Sequence, residues 1–206
     1  MFRQFVAALG LLTLTLPGQA AAPAPSPCDR ACLAGMVTRY IDAMVAHDHS
    51  KLPLATGLRV TENSRDARLG EGLWQSVTGK GTFRQDYLDV RRQIAATHVV
   101  LKEGTNNILY SVLLYVKDQE ITGIETLYQR LTPQSRFQPT MLEKPLVGMD
   151  DPVPAGMRDS RETMIRTALT YTEGLRIGSF ERAPTPFSKQ AYRIENGMFM
   201  AGTGGT

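Results

Sequence analysis

The chain has 206 residues, with 23 Lys and Arg against 20 Asp and Glu and a formal net charge of +3. That small excess, scattered among acidic residues, excludes a strongly basic nucleic-acid-binding surface; the one basic pair, Arg91-Arg92, reads as a solvated strand end. The length suits one ordinary domain plus an appendage.

Residues 1–22 carry Arg3, an apolar run over 5–16, a Pro17-Gly18 break and Ala20-Ala21-Ala22, the order of a secretory signal peptide. The run is shorter than the roughly 20 residues a bilayer requires, so a cleaved leader is expected rather than an anchor. Residues 23–27 form a Pro-rich spacer. The expected mature chain is periplasmic or secreted, with no membrane contact after the leader is removed. Cys28 and Cys32 are then the two cysteines of an exported protein, where disulfides persist. Their i, i+4 spacing fits a local bridge if Cys28 sits at or before a helix N-cap; a buried free pair, or metal or redox chemistry, are the alternatives.

Over 29–46, Cys32, Leu33, Met36, Val37, Tyr40, Ile41, Met44 and Val45 recur at helical intervals, with Asp29 as N-cap. His47-Asp48-His49-Ser50 and Pro53 end that helix, and Gly57 opens a strand with Leu58, Val60 and Glu62 on one face. Glu62 thereby points toward the core, where a carboxylate needs a partner. A short helix is expected over 70–77, carrying Leu73 and Trp74, and Gly79-Lys80-Gly81 then reads as a turn. Strands follow over 82–90, 93–102, 107–117 and 120–130, joined by turn-like connections, so an antiparallel meander with 108–116 at its centre is expected. Pro133, Pro139, Pro145, Pro152 and Pro154 mark 132–157 as an extended linker. Ser160 caps a second helix, to about Gly178, whose stripe of Met164, Ile165, Ala168, Leu169, Leu175 and Ile177 calls for a partner surface. The Gly/Thr tail, 202–206, is expected to lack order.

The chain also repeats itself. Aligning Arg30 with Arg161 places Leu33 on Met164, Val37 on Ala168, Tyr40 on Tyr171 and Met44 on Leu175; after a two-residue slip, Glu62-Asn63 falls on Glu195-Asn196. The organisation read from this is a complete α+β module over 28–131 and an incomplete second module over 158–206, too short to build what the first builds. A fragment of a longer two-module protein fits the same pattern.

Several stretches carry a family resemblance: Cys28-Asp29-Arg30-Ala31-Cys32-Leu33, Tyr40-Ile41-Asp42-Ala43-Met44-Val45-Ala46-His47-Asp48, Thr61-Glu62-Asn63, Leu69-Gly70-Glu71-Gly72-Leu73-Trp74 and Ile121-Thr122-Gly123-Ile124-Glu125-Thr126. Together they resemble the nuclear-transport-factor-2-like superfamily, near its SnoaL-like group, over about 28–130. The resemblance implies a cone: a strongly curved antiparallel sheet wrapped on N-terminal helices around a mostly apolar pocket. It also implies binding of a small apolar molecule without a cofactor, either in a proton-transfer enzyme (isomerase, dehydratase or lyase) or in a non-catalytic binding or dimerisation module. No Tyr/Asp or His/Asp signature aligns residue by residue, so no catalytic role is carried over.

Acid–base candidates are therefore read from strand faces alone: Glu62, Glu125 and His98, each with a structural alternative as a cap, a solvated carboxylate or a satisfied imidazole. Tyr40, Trp74 and Tyr110 are candidate ligand contacts, or simply core; Tyr110 and Tyr115 lie on opposite faces, so at most one looks inward. His47-Asp48-His49 reads as a surface turn rather than a metal site. No phosphate loop or nucleophile elbow is present. The second helix is expected to dock on its own cone or swap onto a neighbour, which would give a homodimer.

Overall fold

The computed structural model describes residues 26–136, 148–149 and 151–202. The leader, the start of the spacer, the middle of the Pro-rich linker and the last four residues of the tail lie outside the described residues.

Helix α1 (Arg30–Val45) starts where the sequence places it, with Asp29 accepting a hydrogen bond from the Cys32 N–H at 2.8 Å. Its stripe of Leu33, Met36, Val37, Tyr40, Ile41 and Met44 is buried. Cys28, immediately before the cap, forms the expected bridge to Cys32, with Cα atoms 5.1 Å apart. This N-terminal clip is fastened to the sheet by Gln93, whose side chain accepts from the Cys28 N–H at 2.7 Å and donates to the Cys28 carbonyl at 2.8 Å.

The strands are β1 (Leu54–Glu62), β2 (Arg65–Asp66), β3 (Gly79–Asp89), β4 (Ile94–Glu103), β5 (Asn106–Lys117) and β6 (Glu120–Arg130). They form one six-stranded sheet in the order β2-β1-β6-β5-β4-β3. The meander from β3 to β6 is antiparallel throughout, as expected, whereas β1 lies parallel to β6, with Val60 opposite Ile124 and Glu62 opposite Thr126. Register shifts in β1, β3 and β5 give the sheet its curvature. The inner face meets α1, and the shared core includes Leu33, Ile41, Leu101, Ile108, Leu114 and Ile121. This helix laid across a curved, unclosed sheet is the α+β plan that the family resemblance implies.

Two local expectations change. Gly79-Lys80-Gly81 is not a turn but the opening of β3, at a bulge where a Cβ on Gly81 would sit 2.8 Å from Val100 Cγ1. The glycine is needed for close strand approach rather than reversal. The short helix before it is a single 3-10 turn, Gly72–Gln75.

After β6, α2 (Arg161–Ile177) is capped by Ser160 and followed by a hairpin of β7 (Tyr192–Glu195) and β8 (Met198–Gly202). The repeated Glu-Asn pair has one physical cause in both copies. Asn63-Ser64 and Asn196-Gly197 are two-residue hairpin turns with positive φ at both positions, closing Glu62 on Arg65 and Glu195 on Met198. The start of α2 is pinned to the sheet by ion pairs of Arg161 with Asp89 and of Glu162 with Arg91. Its apolar stripe does not bury as the sequence suggests: Met164, Ile165, Leu169 and Leu175 are 47% to 58% exposed. Burial against this helix comes instead from Phe180, seated over Gly174 and beside Tyr171. No described helix is long and apolar enough to cross a membrane.

Candidate functional site

Within the cone, Tyr40 from α1 and Tyr110 from β5 meet hydroxyl to hydroxyl at 3.0 Å, and the Trp74 indole N–H donates to the Tyr40 oxygen at 3.4 Å. The Tyr40 and Trp74 rings pack edge to face with centroids 5.4 Å apart. Burial pushes the Tyr40 pKa up to about 12 and the Tyr110 pKa well above the usual tyrosine value. Both phenols therefore stay neutral and act as hydrogen-bonding groups. The three candidate ligand contacts are thus brought together, but their polar tips satisfy one another inside a packed core.

Glu62 lies on the inner face at the end of β1, half-buried, and its carboxylate accepts from the Leu73 N–H at 3.5 Å while lying against Gly72. His47 Nδ1–H donates to the Trp74 carbonyl, and His49 packs edge-on to the Trp74 ring at 5.9 Å. Glu62, His47 and His49 together hold the 3-10 turn that seats Trp74. On this geometry Glu62→Ala is expected to cost about 1 kcal/mol and Glu62→Gln less, because the amide retains an acceptor. Urea unfolding followed by Trp74 fluorescence checks both.

His98 and Glu125 do not enter the cone. Val99 and Tyr110 point inward, so alternation turns His98, and Ser111 opposite it, to the outer face; in β6 the same logic buries Ile124 and turns Glu125 out. Glu125 accepts from the Tyr115 hydroxyl at 3.0 Å. Of the two central-strand tyrosines, Tyr110 is the inward one. The three acid–base candidates therefore occupy separate places.

What the sequence reading missed lies in the second copy. Tyr171, Phe180 and Phe187 form an aromatic cluster with centroid separations of 4.8, 6.0 and 6.4 Å. Together with Tyr192, Arg193 and Ile194 they line a partly open, mostly apolar cavity of about 520 Å³. The copy that looks too short to make a pocket makes one with a loop and a hairpin instead of a sheet. The available signal was the density of aromatics over 171–192. A second hollow, of about 340 Å³, lies at the seam where the β7–β8 turn covers the outer face of β3, β4 and β5; Tyr87, His98, Ser111 and Glu195 all line it.

Comparison with protein families matches residues 157–206 to a family described only as a domain of unknown function (DUF8021). No curated protein matches the chain. Among solved structures, a de novo designed protein with a curved β-sheet aligns over 50% of this chain and 88% of its own, at 14% identity and a TM-score of 0.39. A provisionally assigned ketosteroid isomerase from Kribbella flavida DSM 17836 aligns over 63% of this chain and 95% of its own, at 17% identity and a TM-score of 0.38. The de novo designed NTF2-fold protein NT-9 aligns over 53% and 91%, at 12% identity and a TM-score of 0.37.

Proposed function

We propose that this is an exported protein that binds a small, largely apolar molecule, and that the molecule sits in the aromatic cavity of the second copy rather than in the cone. The observation that carries the reading is an open cavity of about 520 Å³ walled by Tyr171, Phe180 and Phe187, set against a cone whose polar groups Tyr40, Tyr110 and Trp74 bond to one another. That volume is within the roughly 300–1,000 Å³ of small-molecule sites. Arg193, though paired with Glu195, adds guanidinium N–H donors to the lining, which favours a ligand with a hydrogen-bond-accepting edge. Export is supported by the leader pattern of residues 1–22 and by the Cys28–Cys32 bridge, which suits an oxidising compartment.

The test uses 1-anilinonaphthalene-8-sulfonate, an aromatic anion whose fluorescence rises in apolar sites, with protein lacking residues 1–22. Phe180→Ala is expected to weaken binding by ~10-fold or more, the effect of losing an aromatic wall, while Tyr110→Phe leaves it unchanged. Equal affinity in wild type and Phe180→Ala, with both folded by circular dichroism, removes the cavity as the site.

The proton-transfer alternative draws on Glu62, because its half-buried carboxylate faces the layer that holds the Tyr40–Tyr110 pair. A conversion found by incubating the protein with cell extract, and lost in Glu62→Gln at an unchanged melting temperature, would favour it.

A further inference from the structure

We propose that the seam between the outer face of the sheet and the β7–β8 turn is a second ligand site, shaped for a flat aromatic molecule bearing a hydroxyl group. The site is distinct from the aromatic cavity, which lies beyond β7; only Ile194 lines both. One wall is the sheet, with Phe83 and Leu109 supplying apolar surface, and the other is the turn Glu195-Asn196-Gly197, whose glycine is buried. Two walls made of layered backbone favour a flat occupant.

The polar groups set the chemistry. His98 and Ser111 are directly opposed across the β4–β5 ladder, which places their Cβ atoms about 5 Å apart on the same face. Neither side chain makes a hydrogen bond among the described residues, and the imidazole packs edge-on to the Tyr87 ring at 5.2 Å. Partial burial lowers the His98 pKa, so the ring is neutral at neutral pH and keeps a lone pair to offer. Across the hollow, the Glu195 carboxylate is held by Arg193 and presents further acceptor capacity. Acceptors thus line a slot of mixed polar and apolar surface, and a ligand that supplies a hydroxyl donor offers His98 the hydrogen bond it lacks among the described residues. A ring of similar shape without the hydroxyl offers no such bond.

The experiment compares 2-naphthol with 2-methoxynaphthalene, matched in shape but differing in the donor, by fluorescence titration of protein lacking residues 1–22. The expected result is up to ~10-fold tighter binding of 2-naphthol, the net value of one hydrogen bond. In His98→Leu the ratio should fall to about one, with 2-methoxynaphthalene affinity unchanged; Ser111→Ala should lower it in part. Because His98 lies on the outer face, its replacement is not expected to unfold the chain, and circular dichroism melting verifies this. Carbon–proton correlation spectra of the three histidines should show the His98 ring shifting on addition of 2-naphthol. The proposal is overturned if His98→Leu keeps the preference, if neither probe binds, or if Phe180→Ala rather than His98→Leu abolishes 2-naphthol binding. That last outcome assigns the probe to the aromatic cavity and leaves the reading of that cavity standing.

Discussion

Replacing Tyr40 by alanine is expected to lower folding stability by about 3–5 kcal/mol, the range for deleting a fully buried aromatic side chain. The ring is wholly buried between α1 and the sheet, and its hydroxyl is the meeting point for Tyr110 and the Trp74 indole. Alanine therefore opens a void, removes the acceptor of the Trp74 indole N–H and leaves Tyr110 with Thr126 alone. Tyr40→Phe separates the two effects: it keeps the ring, leaves Tyr110 and Trp74 short of a partner, and should cost about 1–3 kcal/mol. Against a typical total of roughly 5–15 kcal/mol, the alanine variant sits near the limit of folding at 37 °C. Urea unfolding reads both through Trp74, the single tryptophan, with circular dichroism as a second probe. Equal losses for alanine and phenylalanine would mean that the hydroxyl cluster, rather than packing, dominates the cone.

Removing the Cys28–Cys32 bridge with the double variant Cys28→Ala/Cys32→Ala is expected to cost about 2 kcal/mol. The loop it closes spans a sequence separation of four, and a loop that short confers only a modest entropic gain. Some loss also comes from packing, because Cys28 belongs to the buried core and its backbone is clasped by Gln93. Wild type unfolded in urea with a strong reductant should move most of the way toward the double variant, the remainder being the packing of the Cys28 sulfur, and the variant should ignore the reductant. Wild-type stability indifferent to reductant would show that Gln93 and the Asp29 cap suffice to fix the start of α1.

The parts of the fold that were legible in the sequence are those with a single dry face. Leu33, Met36, Val37, Tyr40, Ile41 and Met44 all bury on one side of α1, so helical spacing identified them. The meander was legible because its strands are joined by short turns between neighbours. The parallel seating of β1 on β6 was not, since alternation says which residues share a face and nothing about a partner far along the chain. His98 and Glu125 were ambiguous for a related reason. In β4, Val100 on the outer face is as well buried as Val99 on the inner, so the pattern marks two faces without saying which one meets α1. Gly81 misled because glycine serves turns and bulges alike. The aromatic cavity went unseen because the loop after α2 has no periodicity to read.

The β1–β6 seam has a consequence for how the chain is made. Thr61 and Thr126, bonded across it, are 65 residues apart in sequence. At a ribosomal rate of about 5–20 residues per second, β1 emerges several seconds before the strand it must join. During that interval its β6-facing edge is unpaired and open to association with other nascent chains. The late closure of this pair, rather than formation of α1 or of the β4–β5 hairpin, should then limit productive folding, and it is the interval in which a chaperone would have the most to protect.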